Sequence, residues 1–175
     1  LPRDLITRHS LENAAAIVAA TGGSTNAGLH LPAIAHEAGL RFTLDDVADV
    51  FAETPLIASL KPGGLYHAKD VYDIGGTPVI LKALLDGGHI DGDCLTLAGV
   101  ALKDALADTP APDGKVVVTA SDPISPTGGL VVLKGNLCPD GALLKVAGLA
   151  NLVHEGPALV FESEEDCMAV IRARA

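Results

Sequence analysis

The most distinctive polar segment of the sequence is residues 21–26, which read Thr-Gly-Gly-Ser-Thr-Asn. Two glycines let the backbone turn sharply, and Ser24, Thr25 and Asn26 then follow at the start of a predicted helix. Free backbone N–H groups and the helix dipole favour an anion at such a position. We therefore expect a corner suited to a carboxylate or phosphate. An ordinary capped turn between two helices is the simpler alternative, and composition alone favours it.

A second glycine-rich region surrounds a predicted strand at residues 130–133. Residues 125–129 read Ser-Pro-Thr-Gly-Gly, and residues 134–141 read Lys-Gly-Asn-Leu-Cys-Pro-Asp-Gly. Glycines on both sides of a strand allow a ligand or another chain to approach the backbone closely. Pro-Asp-Gly is a common turn sequence, so composition favours the alternative, a β-hairpin that turns at residues 139–141.

Metal-binding residue types are present, but their spacing is not typical of a metal site. Cys94, Cys138 and Cys167 lack the CxxC spacing that zinc sites and ferredoxin clusters usually show. They are expected to be free, mostly buried thiols in a reducing compartment. The six histidines are scattered, and no pair shares a helix face. The acidic clusters at 45–46 and 162–166 lie at predicted helix starts, where the helix dipole accounts for them.

Composition and charge narrow the class of protein. The 175 residues suit one medium domain or parts of two, and 49% of them are hydrophobic. A net charge of −10 without any lysine or arginine cluster argues against a nucleic-acid surface. No apolar run reaches about 18 residues and no signal peptide opens the sequence, so neither a membrane helix nor secretion is expected. These totals fit a cytoplasmic enzyme.

The predicted elements are helices first and strands second. Capping residues mark three helix starts, at Thr7 with Ser10, at Thr43, and at Ser163. Helices are predicted at 11–20, 24–38 with Pro32 inside, 43–52, 67–74, 77–87, 100–107 and 163–171. Strands are predicted at 94–97, 115–119, 130–133, 142–146 and 158–161. The sequence begins at Leu1 and ends within a helical pattern, so we expect an internal piece of a longer protein.

Several further segments, together with residues 21–26, resemble one family in their order and spacing. They are residues 30–35 (His-Leu-Pro-Ala-Ile-Ala), 60–64 (Leu-Lys-Pro-Gly-Gly), 75–78 (Gly-Gly-Thr-Pro), 92–96 (Gly-Asp-Cys-Leu-Thr), 125–129, 135–137, 139–141 and 156–158. The series resembles the dihydroxy-acid dehydratase and 6-phosphogluconate dehydratase family, and the residues of its segments are most similar to those of the dihydroxy-acid dehydratases. It runs from about Leu5 to Ile171, nearly the whole chain.

The resemblance implies a fragment of a lyase that removes water from a 2,3-dihydroxy acid to give a 2-keto acid, in branched-chain amino acid biosynthesis. It implies an iron–sulfur cluster that acts as a Lewis acid and a Mg²⁺ that holds the carboxylate in the complete enzyme. In the family the cluster cysteines lie upstream of these segments, and a serine base and a metal-binding glutamate lie downstream. Cys94, Cys138 and Cys167 are therefore not expected to be ligands, and the fragment alone is expected to be inactive.

The resemblance also implies an α/β fold class and a division of the chain. Residues 1–108 are expected to be the helix-rich C-terminal part of an α/β domain, 109–114 a linker, and 115–175 the first part of a β-barrel-like domain. Ser24, Thr25 and Asn26 are the residues expected to line the substrate, with no catalytic or metal-ligating residue in this chain. The complete enzyme is expected to bind a small dihydroxy acid as a homo-oligomer, with no nucleic-acid or membrane partner.

Three alternatives remain open from the sequence. The first is a sugar-acid dehydratase of the same family, acting on 6-phosphogluconate or an aldonate. The second is a non-catalytic module that binds an anion at residues 21–26, which carboxylate or phosphate affinity would reveal. The third is an assembly piece whose strand edges pair with another chain, which a concentration-dependent size in solution would reveal.

Overall fold

The computed structural model describes residues 1–174 and contains helices and two strands within that range. In chain order these are α1 (Pro2–Leu5), α2 (Arg8–Ala20), α3 (Ala27–Glu37), α4 (Leu44–Glu53), α5 (Ala68–Asp73), α6 (Thr77–Asp86), α7 (Leu102–Ala105), β1 (Leu130–Leu133), β2 (Ala142–Lys145) and α8 (Glu164–Arg174). None of these helices is both long enough and apolar enough to cross a membrane.

Helices α2 and α4 begin after the capping residues that the sequence predicts, Thr7 and Thr43, and the structure shows that the capping is reciprocal. The Thr7 hydroxyl accepts a hydrogen bond from the Ser10 amide at 3.1 Å, and the Ser10 hydroxyl accepts one from the Thr7 amide at 2.8 Å. Thr43 and Asp46 form the same arrangement, at 3.3 and 2.6 Å. Each box satisfies amides that the first helical turn leaves without partners. At α8 the Ser163 hydroxyl accepts a bond from the Asp166 amide, so this start is also confirmed.

Helix α2 separates the two hydrophobic clusters of the core. Ala15 and Ala19 belong to one cluster, Ala16 and Ala20 belong to the other, and all four are completely buried. Residues four apart share a helix face, so the alanine run gives α2 two small faces against which neighbours pack closely. The α3–α4 cluster also contains Leu11, Leu31, Ala35, Phe42, Val47, Phe51 and Leu130. The α5–α6 cluster also contains Ile57, Ala58, Val71, Val79, Ile80, Ala83, Leu84, Ile90, Val116 and Val117.

Strands β1 and β2 form an antiparallel pair in which Leu130 lies opposite Lys145 and Leu133 opposite Ala142. Leu130 points into the α3–α4 cluster, and Leu143 packs against the same cluster. The hairpin therefore lies on the helices and shares their core. The combination of helices and strands confirms the α/β character, but the sheet has two strands and is not closed within residues 1–174.

Three of the five predicted strands are wrong. Residues 115–119 form a single antiparallel bridge, between Val117 and Ala58, and residues 94–97 form one between Leu95 and Ala101. Residues 158–161 have no strand structure and are mostly exposed. Val116 and Val117 are nevertheless buried in the α5–α6 cluster. Their β-branched, apolar pattern thus indicates burial, and within residues 1–174 the pairing of this segment consists of the one bridge to Ala58.

Two helix boundaries also differ from the prediction. Helix α6 begins at Thr77 with Gly76 at the capping position, whereas the sequence suggests Thr77 as the cap. Helix α3 begins at Ala27 rather than at residue 24, and Pro32 lies inside it as predicted. These are differences of a few residues, and the order of the helices is confirmed.

Candidate functional site

The corner at residues 21–26 is built by the end of α2. Gly22 has a φ of +57°, a conformation that side chains with a Cβ rarely adopt. The Gly23 amide donates to the Val18 carbonyl at 2.9 Å, and the Thr21 hydroxyl donates to the Ile17 carbonyl at 2.8 Å. These bonds satisfy the last carbonyls of α2 and turn the chain towards α3.

The β-hairpin packs directly against this corner. The Gly129 amide donates to the Ala19 carbonyl at 3.0 Å, and the Gly129 carbonyl accepts from the Val146 and Ala147 amides at 2.9 and 3.1 Å. A Cβ on Gly129 would lie 2.7 Å from the Gly22 Cα, which is closer than real Cβ contacts come. Two glycine backbones in contact thus hold the start of the hairpin on the end of α2.

A third segment, residues 60–64, completes this junction. A Cβ on Gly63 would lie 2.6 Å from the Ala147 carbonyl oxygen, and one on Gly148 would lie 2.1 Å from the Gly63 carbonyl oxygen. The Ile57 and Ala58 amides both donate to the Ala20 carbonyl, at 2.9 and 3.1 Å. Segments far apart in the sequence therefore meet at the corner through backbone contacts.

A cavity of about 460 Å³ lies where these segments meet, and we call it the lysine cavity. Its lining consists of Thr21, Gly22, Gly23, Ser24, Thr25, Leu60, Lys61, Pro62 and Lys145. Ser24 and Thr25, expected from the sequence to line a site, are part of this wall. Asn26 is exposed next to them at the N-terminal cap of α3 and is not part of the lining.

The hydrogen bonds of the corner determine which groups could bind a ligand there. The amides of Asn26, Ala27 and Gly28 bond within the turn, to the Ser24 hydroxyl at 3.2 Å and to the Ser24 and Thr25 carbonyls at 3.1 Å each. The Ser24 hydroxyl accepts one of these bonds and keeps its own proton to donate. Donors for an anion would therefore come from hydroxyl and ammonium groups rather than from the helix amides.

Sequence reasoning did not identify Lys61 and Lys145 as site residues. Lys61 lies in the loop between α4 and α5 and is exposed, whereas Lys145 ends β2 and is half-buried. The Lys145 side chain extends towards Gly63, its Cε lying 3.5 Å from where a Gly63 Cβ would be. Glycine and proline beside Lys61 were the available signal for that residue, and no local pattern marks Lys145.

The glycine-rich segments around β1 form the hairpin that their composition favours. Residues 134–141 connect β1 to β2, and the turn includes Pro139, Asp140 and Gly141, with Gly141 at a φ of +106°. The Gly141 amide donates to the Cys138 carbonyl at 3.2 Å, and the Cys138 thiol donates to the Gly141 carbonyl at 3.0 Å. The structure thus gives residues 134–141 a role in turning the chain, and Gly128 and Gly129 a role in packing.

The cysteines and histidines lie apart from the lysine cavity. Cys94, Cys138 and Cys167 are free thiols and half-buried, in a loop, in the hairpin turn and in α8. Burial and the neighbouring Asp91 and Asp93 raise the pKa of the Cys94 thiol, which makes it a weak nucleophile. Among residues 1–174, no three or more His, Cys, Asp or Glu side chains are grouped as metal ligands.

Two other cavities are lined by side chains that bond to each other. In one, the His9 Nδ1 lies 2.6 Å from an Asp91 carboxylate oxygen. In the other, Arg8 pairs with Glu12 and Asp46, each at 2.8 Å. The hydrogen bond from Arg8, together with those from Thr43, lowers the pKa of Asp46 to about 2. These contacts connect elements of the fold, and the side chains that make them already have polar partners.

Comparison with known proteins gives consistent results along the whole chain. Residues 1–105 match the family model described as dihydroxy-acid/6-phosphogluconate dehydratase N-terminal, and residues 115–175 match the corresponding C-terminal model. Dihydroxy-acid dehydratase 2 of Bordetella bronchiseptica is 68% identical over 100% of this chain and 31% of its own length. Dihydroxy-acid dehydratase 3 of Bradyrhizobium diazoefficiens is 63% identical over 100% of this chain and 30% of its own length. The dihydroxy-acid dehydratase of Parvibaculum lavamentivorans is 58% identical over 99% of this chain and 31% of its own length. The chain thus spans about 30% of the length of these curated relatives.

Proposed function

Because the chain belongs to the dihydroxy-acid/6-phosphogluconate dehydratase family, we propose that the complete protein containing it is a hydro-lyase acting on a 2,3-dihydroxy acid. The reaction removes the proton from C2 and the hydroxyl group from C3 as water, and the resulting enol tautomerises to a 2-keto acid. Two observations support this proposal. Both family models match this chain in order, and the similar curated relatives are named dihydroxy-acid dehydratases. We place the reaction in branched-chain amino acid biosynthesis, in the cytoplasm, and expect a homo-oligomer.

We propose that this chain supplies one wall of the substrate site rather than the reacting groups. Ser24 and Thr25 line the lysine cavity and carry hydroxyl groups that can donate hydrogen bonds, and Asn26 lies exposed beside them. Residues 1–108 are assigned to the end of an α/β domain, 109–114 to a linker and 115–175 to the first part of a β-barrel domain. In that division the wall lies where the two parts meet, since Gly129 contacts Gly22 there.

The cofactors implied by the family do not fit the residues of this chain. An iron–sulfur cluster needs several thiolates around one point, but within residues 1–174 no three or more His, Cys, Asp or Glu side chains come together as a metal-binding group. No acidic group of the described residues is arranged as a cation site. We therefore derive no catalytic step through a cluster or Mg²⁺ here, and assign both to residues of the complete enzyme outside this chain.

The test is turnover by the complete natural protein, purified without oxygen and supplied with Mg²⁺. We expect 2-keto acid formation from 2,3-dihydroxy-isovalerate, measured by derivatising the keto group. 6-Phosphogluconate in a parallel reaction separates the sugar-acid alternative, and preference for it would replace the substrate proposed here. Formation of no keto acid from either compound by protein with a full cluster would refute the proposed activity.

The role of the corner is tested by Asn26→Ala in the same protein, with Asn136→Ala as the matched control. Asn136 is also exposed, but it lies in the hairpin turn outside the lysine cavity. We expect the Asn26 substitution to raise KM or lower kcat several-fold and the control to leave both unchanged. If both variants behave like the unsubstituted enzyme, Asn26 has no part in substrate binding.

A further inference from the structure

A segment of irregular backbone joins the two parts of the chain that the family models match. These models match residues 1–105 and 115–175, and we call residues 110–129 the strap, because they run from the gap between the two matches to the hairpin. The structure describes every residue of the strap, and it forms neither helix nor strand. Connections of this length are either functional or mobile as a rule, and the contacts of the strap decide between the two.

The strap passes both ends of α6. A Cβ on Gly75, just before that helix, would lie 3.2 Å from the Pro110 Cγ. A Cβ on Gly87, at the other end, would lie only 2.5 Å from the Ala120 Cβ. Glycine at each end of α6 therefore lets the strap approach the helix closely.

Backbone hydrogen bonds hold the middle of the strap on the segment that follows α4. The Val118 amide donates to the Ile57 carbonyl, and the Ile124 amide donates to the Leu56 carbonyl, each at 2.9 Å. The Leu56 amide donates in return to the Ser125 carbonyl at 3.0 Å. The strap thus pairs with residues 56–57 at two places and cannot move away from them without breaking these bonds.

The end of the strap bonds to the helices of the corner. The Gly128 amide donates to the Phe51 carbonyl at 3.3 Å, and the Gly129 amide donates to the Ala19 carbonyl at 3.0 Å. All of these contacts are formed within residues 1–174. The remaining chain of the complete protein can add to them but is not needed to make them. The connection between the two matched parts is therefore attached from its beginning to its end.

One carboxylate organises the beginning of the strap. The Asp113 Oδ1 accepts hydrogen bonds from the amides of Lys115, Val116 and Val117, at 3.2, 2.9 and 3.0 Å. Val116 and Val117 are buried in the α5–α6 cluster. A charged acceptor makes stronger hydrogen bonds than a neutral one. The exposed Asp113 side chain therefore holds the backbone in the turn that places these two valines in the core.

We propose that Asp113 is a positioning residue that fastens the strap to the α5–α6 cluster and thereby holds the hairpin against the corner. The inference rests on the proposed function for the reaction, because the corner and Lys145 of the hairpin both line the lysine cavity. A segment attached at several points opens as one cooperative unit rather than residue by residue. Loss of the Asp113 carboxylate therefore loosens the far end of the strap as well as the near one.

The experiment compares Asp113→Ala and Asp113→Asn in the complete enzyme. Alanine removes the acceptor, whereas asparagine keeps one carbonyl oxygen for the amides and loses only the charge. Asp122→Ala is the matched control, because Asp122 is an exposed aspartate of the same strap, while the amides of residues 115–117 bond to Asp113.

The first readout is hydrogen exchange at the amides of Leu56, Val118 and Ile124, which bond to carbonyls elsewhere in the strap junction. We expect Asp113→Ala to speed exchange at these amides about tenfold, the size of a lost capping interaction. Asp113→Asn should give a smaller increase, and the control should leave the rates unchanged. A side chain that only closes a local turn would change exchange at residues 115–117 alone.

The second readout is steady-state turnover of 2,3-dihydroxy-isovalerate. A looser wall weakens substrate binding, whereas the reacting groups lie outside this chain in the proposed function. We therefore expect Asp113→Ala to raise KM about threefold and to change kcat less than about twofold. Asp113→Asn should restore most of the lost affinity, and Asp122→Ala should keep both constants.

The outcomes separate this inference from the proposed function. If the three distant amides exchange in Asp113→Ala as they do in the control, Asp113 does not fasten the strap and the inference is wrong. If they exchange faster but KM equals that of the control, the positioning role is wrong. If exchange changes as expected in a protein that turns over no dihydroxy acid, the fastening is supported and the proposed function fails. Should Asp113→Ala not fold, Asp113→Asn provides the same comparison.

Discussion

Substitution of Gly129 by alanine should separate the hairpin from the corner. The new Cβ would lie 2.7 Å from the Gly22 Cα and 2.8 Å from the Ala147 Cβ, whereas carbon atoms pack best at about 3.5–4.0 Å. One of the two neighbours must therefore move by about 1 Å. The hydrogen bond that the Gly129 amide donates to Ala19, and the two that the Gly129 carbonyl accepts from residues 146 and 147, oppose that movement. Overpacking of this kind costs about 1–3 kcal/mol, and one weakened hydrogen bond adds about 1 kcal/mol.

Hydrogen exchange in the complete protein is the suitable assay, because a multidomain protein has no single unfolding transition. A loss of about 2–4 kcal/mol predicts amide exchange that is faster by a factor of about 30 to 1,000 in residues 145–148 and 56–58. Gly135→Ala is the control, since its Cβ would meet nothing within 4 Å in the same hairpin. Equal exchange rates in the Gly129 and Gly135 variants would refute the account of this junction.

Two further predictions concern contacts between distant segments. Asn13 is buried, and its side-chain amide forms two hydrogen bonds of 2.8 Å with the Asp91 backbone. Asn13→Leu should therefore cost about 2–4 kcal/mol of stability and speed hydrogen exchange around Asp91, whereas Asn136→Leu, at an exposed position, should not. Equal hydrogen-exchange rates in the two variants would contradict this prediction. The pKa of Asp46 is about 2 in the folded protein, against an ordinary value of 3.8. The pairing of this carboxylate with half-exposed Arg8 therefore stabilises the fold by about 1–2 kcal/mol above pH 3.8, and this stabilisation is lost as the pH falls towards 2. Circular dichroism during acid titration should therefore show Asp46→Asn less stable than the unsubstituted protein at neutral pH and equal to it near pH 2, and a difference that persists at pH 2 would contradict the assignment.

The parts of the fold that depend on residues close together in the sequence could be predicted. Thr7 with Ser10 and Thr43 with Asp46 cap their helices through bonds that span three residues, so the sequence alone contains the signal. The hairpin is similar, because the turn at residues 139–141 selects it. The wrong strand at 115–119 shows the limit. Val117 is buried, but whether a buried valine belongs to a strand depends on which distant segment lies beside it.

The candidate site shows the same division. Ser24 and Thr25 were predicted from the sequence because glycine and hydroxyl residues at a helix start form a local pattern; both line the lysine cavity, and their contact with substrate stays a prediction. Lys145 was not predicted from the sequence, because its position beside the cavity depends on the contact between the distant segments that contain Gly63 and Gly148.

The shared core has a consequence for the order in which this chain can fold during synthesis. Leu130 belongs to the same core cluster as the face of α2 that carries Ala15 and Ala19, and Leu143 packs against that cluster. The ribosome makes both leucines more than 100 residues later. At about 5–20 residues per second, the cluster stays without these two leucines for roughly ten seconds. The match to the first family model ends at residue 105, but a nascent chain of that length would still expose the apolar surface. The helices before residue 105 therefore complete this part of their core only after the hairpin at residues 130–145 has been made.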